Sequence, residues 1–216
     1  MLRARVHPLW ILVVVYLVLR GLMLLTSFDQ HAMPVYELSP AGIVAELASS
    51  GWRGAPLYAY YDNCGGHLIV GLLAAPIYKV LGSSYLSLKL VPLLLGVVDL
   101  LLIWDLTRRL FGRRAAWVAS LAFTLGPQTL LVYSVLAKGN HFEGLTLQWL
   151  TAWLWVRGFQ SAAPRRWWLL AALVAGFSVF FYFGSLLWIV LLLVTHVLAR
   201  GVRRSALDLG LGVVPF

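Results

Sequence analysis

Two polar stretches hold most of the residues in this chain that could do chemistry. The first runs from Ser27 to His67 and contains Asp29, Glu37, Arg53, Tyr61, Asp62 and His67; the second is "KGNHFEG" (138–144), with Lys138, Asn140, His141 and Glu143. A carboxylate aimed by a rigid element can take a proton from an attacking hydroxyl, so Asp29 and Glu37 are candidate catalytic bases. Each also has a plainer use. Asp29 could be an interfacial charge closing a helix, and Glu37 could be favourable negative charge ahead of a helix start. Lys138 could meet a phosphate as a point charge, and Asn140, His141 and Glu143 could bind sugar hydroxyls or simply form a polar turn. In "YYDNCGGH" (60–67), His67 heads an apolar helix, where free N–H groups favour anions. Asp62 and His67 could ligate a divalent metal, but no recognised ligand spacing supports one, so no cofactor is assigned.

The elements that must position these residues belong to a membrane protein. Hydrophobic residues make up 61% of the chain and charged ones 12%, with a mean hydropathy of +0.85. Globular domains average about 45–50% apolar and about 25% charged. The net charge of +9 would suggest nucleic acid in a soluble domain. Here it follows from arginine gathered in loops on one membrane face, and nucleic acid is not an expected partner. Cys64 is the sole cysteine, which rules out a disulfide within the chain.

The pattern predicts an all-α polytopic bundle with about six transmembrane helices. Pro8 to Thr26 reads as an uncleaved first helix, with Arg20 near its far end, able to snorkel. "SPAGIVAELASSG" reads as a short interfacial helix, capped by Ser39, with Ile43, Val44, Leu47 and Ala48 on one face. Further spans are expected over Tyr85 to Leu106, Ala115 to Ala137 and Leu145 to Val156. Trp167 to Ala199 contains no Asp, Glu, Lys or Arg and is too long for one span, so it divides around Tyr182–Ser185. Asp99, in mid-span, is expected to bond between helices, and Asp105 to face Arg108 or Arg109.

Leu68 to Leu81 decides the topology. If it does not cross, twelve of the 17 basic residues share the N-terminal side; if it does, most arginines move to the opposite side. The positive-inside rule favours the first case. The segment then lies juxtamembrane or re-entrant, inside an outer loop spanning 27–84, with five of the eight acidic residues on the outer face. The N-terminus is cytoplasmic, and the expected location is a bacterial inner membrane.

The acidic residues Asp29 and Glu37, "YYDNCGGH" with "LLAAPIYKVLG", and above all "SLKLVPLLLGVVDLLLIWDLTRRLFGRRAAWVASLAF" resemble a known family. Over roughly residues 9 to 160 the chain is similar to the N-terminal half of polyprenyl-phosphate-dependent glycosyltransferases with the C-type membrane fold, such as protein O-mannosyltransferases and lipid A aminoarabinose transferases. The resemblance implies transfer of a sugar from a polyprenyl phosphate to a lipid, glycan or protein acceptor outside the cytoplasm, with inversion. Asp29 would be the base, and Lys138 or Arg53 would stabilise the departing phosphate. It also implies that 1–216 is one membrane domain, the N-terminal part of a longer enzyme, and such a fragment could be inactive. The chain departs from the family in having Asp29-Gln30 where an Asp-Glu tandem is common, which leaves Glu37 as the alternative base. It has His67-Leu68-Ile69 where His-Pro-Pro is frequent. A transporter or lipid-flipping component that binds a phospho-sugar lipid at the same residues is the competing class.

Overall fold

A computed structural model describes residues 8–26, 37, 40–45, 47 and 65–201. Among the described residues all regular structure is helical: α1 Pro8–Thr26, α2 Gly66–Leu81, α3 Tyr85–Leu125, α4 Gln128–Tyr133, α5 His141–Gln160, α6 Pro164–Phe181 and α7 Ser185–Arg200. Local signals account for most of the ends. Ser84 caps α3, its side chain accepting from Ser87 N at 3.1 Å, and Pro164 opens α6 in the first turn, where its missing N–H costs nothing. α3 has 41 residues but is not one rod. Gly112, at φ 86°, breaks it into arms at 85–111 and 113–125, a backbone conformation that strongly favours glycine. The bend falls inside "RRLFGRR", between the two expected spans. The division expected near Tyr182–Ser185 is equally plain, since α6 stops at Phe181 and α7 starts at Ser185.

Among the described residues two helices are long and apolar enough to cross a membrane, α1 over Leu9–Thr26 and α3; α2 and α7 are apolar but shorter. Large apolar side chains cover much of the exterior, including Leu25, Val118, Leu173, Leu187 and Leu198. An apolar exterior this extensive suits lipid rather than water.

The main core joins α1, α3 and α5 through Leu12, Tyr16, Leu100, Trp104 and Phe142. A second core lies beneath α2. There Val70, Ala74 and Tyr78 pack on Leu88 and Val91 of α3, together with Val44, Ala137 and Phe181. Residues 40–45 and 47 are helical, but their apolar face does not look outward as expected for an interfacial helix. Ile43 and Leu47 instead bury against Leu68 of α2. Ser39, Ala48 and the expected end of that helix lie outside the described residues.

The expected span over Ala115–Ala137 is broken at Gly126-Pro127, where proline cannot continue the helix, and Arg20 fills the break. Rather than snorkelling, Arg20 is fully buried and inserts into the break. Its guanidinium donates to the carbonyls of Thr124 and Phe123 and to Ser134 Oγ, and it lies 4.5 Å from the Tyr16 ring centroid. Carbonyls at a helix end have no partner within their own helix. A buried arginine supplies the donors that water would otherwise provide.

Candidate functional site

The site is built where residues 134–140 cross the end of the bundle between α4 and α5. Its centre is a buried ion pair. Glu37 Oε1 accepts from Lys89 Nζ at 2.8 Å, with both side chains fully buried, and from the backbone N–H of Ala137 at 3.0 Å. Lys89 also donates to the carbonyl of Val135 at 3.2 Å. Sequence positions 37, 89 and 135–137 are thus fastened at one point. Desolvating two charges is expensive, and geometry this complete is what offsets it.

The second junction is backbone on backbone. The head of α2 abuts the 137–140 turn so closely that a Cβ on Gly66 would sit 1.6 Å from the carbonyl oxygen of Gly139. Gly139 itself has φ 68°. Gly65 N–H donates to the carbonyl of Phe180 at 2.9 Å, which ties the same point to the end of α6. Gly65-Gly66-His67 and the 137–140 turn, 73 positions apart from Gly66 to Gly139, therefore meet at one point. His67 is buried beside this contact.

Glu143 faces inward and fastens the turn. Asn140 caps α5, its side chain accepting from His141 N at 2.6 Å, while Glu143 Oε1 reaches back to Gly139 N at 3.0 Å. This is the logic of a capping box. Glu143 lies ahead of the apolar run 145–156, and burial pushes its carboxyl up to about 7, against backbone N–H groups of 138–140 that pull it down. Lys138 is also mostly buried, its ammonium 5.1 Å from the Tyr133 ring centroid. His141 is the open member of the group, its ring 5.5 Å from Tyr133 and 5.0 Å from Tyr182. Partial burial and the Lys138 charge hold its imidazole below the ordinary value, which favours the neutral form near pH 7.

His141 lines a cavity of about 400 Å³ together with Pro127, Leu130, Phe142, Leu145, Tyr133, Gln148 and Tyr182. Its lining is mainly apolar with a few polar groups, the form of a pocket for a largely apolar ligand.

Glu37, His67, Lys138, Asn140, His141 and Glu143 are brought to one end of the bundle; Asp29, Arg53, Tyr61 and Asp62 lie outside the described residues. Among the described residues no group of three or more His, Cys, Asp or Glu side chains could hold a metal ion. Lys89 was missed by the sequence reading. The signal available was a lysine within the otherwise apolar "LSLKLVPLLL", where an ionisable group calls for a partner. Asp99 is buried beside Thr146 and within the field of Glu143. Its carboxyl oxygens have no hydrogen-bond partner among the described residues, and Thr146 of α5 is the inter-helix side chain beside them. Asp105 does face Arg108 and Arg109, at 2.7 and 2.5 Å.

Searches of curated proteins and of solved structures each found no match. The family described as dolichyl-phosphate-mannose-protein mannosyltransferase matches residues 68–214, about two thirds of the 216. That stretch includes α2 from Leu68 onward, Lys89, the Gly112 bend and the whole 134–140 crossing. The chain belongs to the dolichyl-phosphate-mannose-protein mannosyltransferase family, membrane glycosyltransferases that use a lipid-linked sugar donor.

Proposed function

We propose that this chain carries the donor-side half of a glycosyltransfer site on the non-cytoplasmic face of the membrane. The observation that carries the reading is the convergence of Glu37, the head of α2 and the 137–143 turn beside a mainly apolar cavity lined by His141, Tyr133 and Gln148. A polyprenyl phosphate has matching chemistry, with an apolar chain for the cavity and a phosphate for Lys138 near its rim. In the reaction, an acceptor hydroxyl attacks the anomeric carbon from the face opposite the phosphate. The bond from carbon to phosphate oxygen breaks, the hydroxyl proton passes to a carboxylate, and polyprenyl phosphate leaves, inverting the anomeric centre. Mannose is the first sugar to test, on the family's description.

Of the two acids, Asp29 is assigned as base and Glu37 as a positioning residue. A fully buried carboxylate already engaged by Lys89 and the Ala137 N–H is badly placed to receive another proton. The topology has support too. α2 starts against Gly139, and after three residues its chain enters α3, whose Lys89 reaches Val135. The chain thus returns to the 134–140 crossing within the first two turns of α3, as expected if α2 lies along the surface, and we read α2 with residues 27–84 as an outer loop. Six crossings then follow from α1, the first arm of α3, the second arm with α4, α5, α6 and α7.

Asp29→Asn, made in the full-length protein in membranes supplied with polyprenyl-phosphate mannose and hydroxyl acceptors, tests the assignment. General-base catalysis contributes about 10²–10⁴-fold, so transfer should fall by at least about 100-fold while polyprenyl phosphate still binds. Transfer at the wild-type rate in that variant would remove Asp29 from the chemistry. A wild-type protein that binds the lipid and transfers nothing would favour a transporter.

A further inference from the structure

The far end of the bundle carries a second constellation that glycosyl transfer does not use. Arg109 of α3, Arg157 in the last turn of α5 and Arg166 in the first turn of α6 converge on a cleft of about 300 Å³, completed by Gln160, Ser161 and Trp167. From His141 to Arg157 along α5 is about 24 Å at 1.5 Å per residue, so this cleft and the cavity beside His141 lie near opposite surfaces of one bilayer.

Arginines placed only by the positive-inside rule would spread into solvent. These are held. The guanidinium of Arg157 lies 5.2 Å from the Trp153 ring centroid and 4.9 Å from that of Trp167, and Arg166 lies 5.4 Å from the Trp167 ring. Trp153 is itself fixed by donating Nε1–H to Asp105 at 2.9 Å. Stacking occupies a guanidinium's face and leaves its N–H edge available for an oxyanion. The charge is also one-sided. Asp105 pairs with Arg108 and Arg109, and no ion pair to Arg157 or Arg166 occurs among the described residues. Guanidinium groups sharing a cleft repel one another, and a bound anion relieves that repulsion. Three guanidiniums with a hydroxyl and a carboxamide form a donor set suited to phosphate. The position, at helix ends on the arginine-rich face, suits a phosphate fixed in the headgroup layer.

We propose that this cleft binds the phosphate group of an anionic membrane lipid on the cytoplasmic face. The test uses the full chain, purified and delipidated in a zwitterionic detergent, then titrated with phosphatidylglycerol, phosphatidylcholine or inorganic phosphate. Bound lipid is counted by native mass spectrometry, and the unfolding midpoint is followed in parallel. Phosphatidylglycerol should be retained at least about tenfold over phosphatidylcholine and should raise the midpoint. Arg157→Gln with Arg166→Gln should abolish both effects and leave the lipid-free midpoint equal or higher, because the repulsion is gone. Should that pair fail to fold, Arg157→Lys with Arg166→Lys keeps the charge and should retain the lipid more weakly than wild type. Equal retention of both lipids, or retention unchanged in the variants, overturns the site. A full midpoint shift with inorganic phosphate alone overturns the lipid as its source. None of these readouts involves glycosyl transfer, so failure here leaves the activity at the other face untouched.

Discussion

Glu37 and Lys89 hold the site at the scale of single residues, and their energetics are lopsided. Removing one partner leaves the other charge buried and alone. Glu37→Met should therefore cost about 3–5 kcal/mol in detergent unfolding, while Glu37→Met with Lys89→Met should recover most of the loss. Equal stability of single variant and wild type would show that the pair does not hold the crossing. Glu143 makes a prediction of opposite character. Its folded-state value near 7 stands above the ordinary 4.5, so between those values the folded chain keeps a proton that the unfolded chain releases. This contribution is present at pH 4.5 and lost as pH rises to 7, at about 1.4 kcal/mol per unit. The unfolding midpoint of Glu143→Gln should fall less steeply from pH 5 to 7.5 than that of wild type. The residues that could do chemistry were legible as types in short polar stretches. Their pairings were not, because Glu37 finds Lys89 across 52 positions and Arg20 finds Thr124 across 104, distances at which sequence spacing carries no geometric information.

Among elements, the approach of α2 to the 137–140 turn is the most exacting contact. Gly66→Ala must push the Gly139 backbone away and should cost more than 2 kcal/mol or displace the turn, with loss of transfer. Gly176→Ala in α6 meets nothing within 4 Å and should be neutral, or stabilising by up to about 1 kcal/mol. Unfolding curves for the two variants compare these directly, and equal midpoints would contradict the close packing. Element boundaries were readable in part, since the gap between the spans expected over Tyr85–Leu106 and Ala115–Ala137 holds the Gly112 bend and the division around Tyr182–Ser185 falls between α6 and α7. Gly126-Pro127 ends a helix by its own backbone chemistry, but that Arg20 arrives from α1 to satisfy the freed carbonyls has no local signature. Arg20→Met should therefore destabilise the chain by about 2–4 kcal/mol, since buried carbonyls would lose their donors.

For the whole molecule, the chain sorts its charge between two ends. Glu37, Glu143, His67, His141 and the 137–143 turn lie at one, and Arg109, Arg157, Arg166 and the Gly112 bend, with Asp105 paired to Arg108 and Arg109, at the other. An all-helical membrane architecture was evident from composition, and the family from the α3 region. The proposed orientation rests on arginine parity. The lone thiol of Cys64, next to the α2 head, offers the most direct check. Intact cells or right-side-out vesicles are treated with a membrane-impermeant maleimide, with and without added polyprenyl phosphate. The outer-face site predicts that Cys64 labels without permeabilisation and is protected by the lipid. Labelling only after permeabilisation would put this loop in the cytoplasm and contradict a transfer site on the outer face.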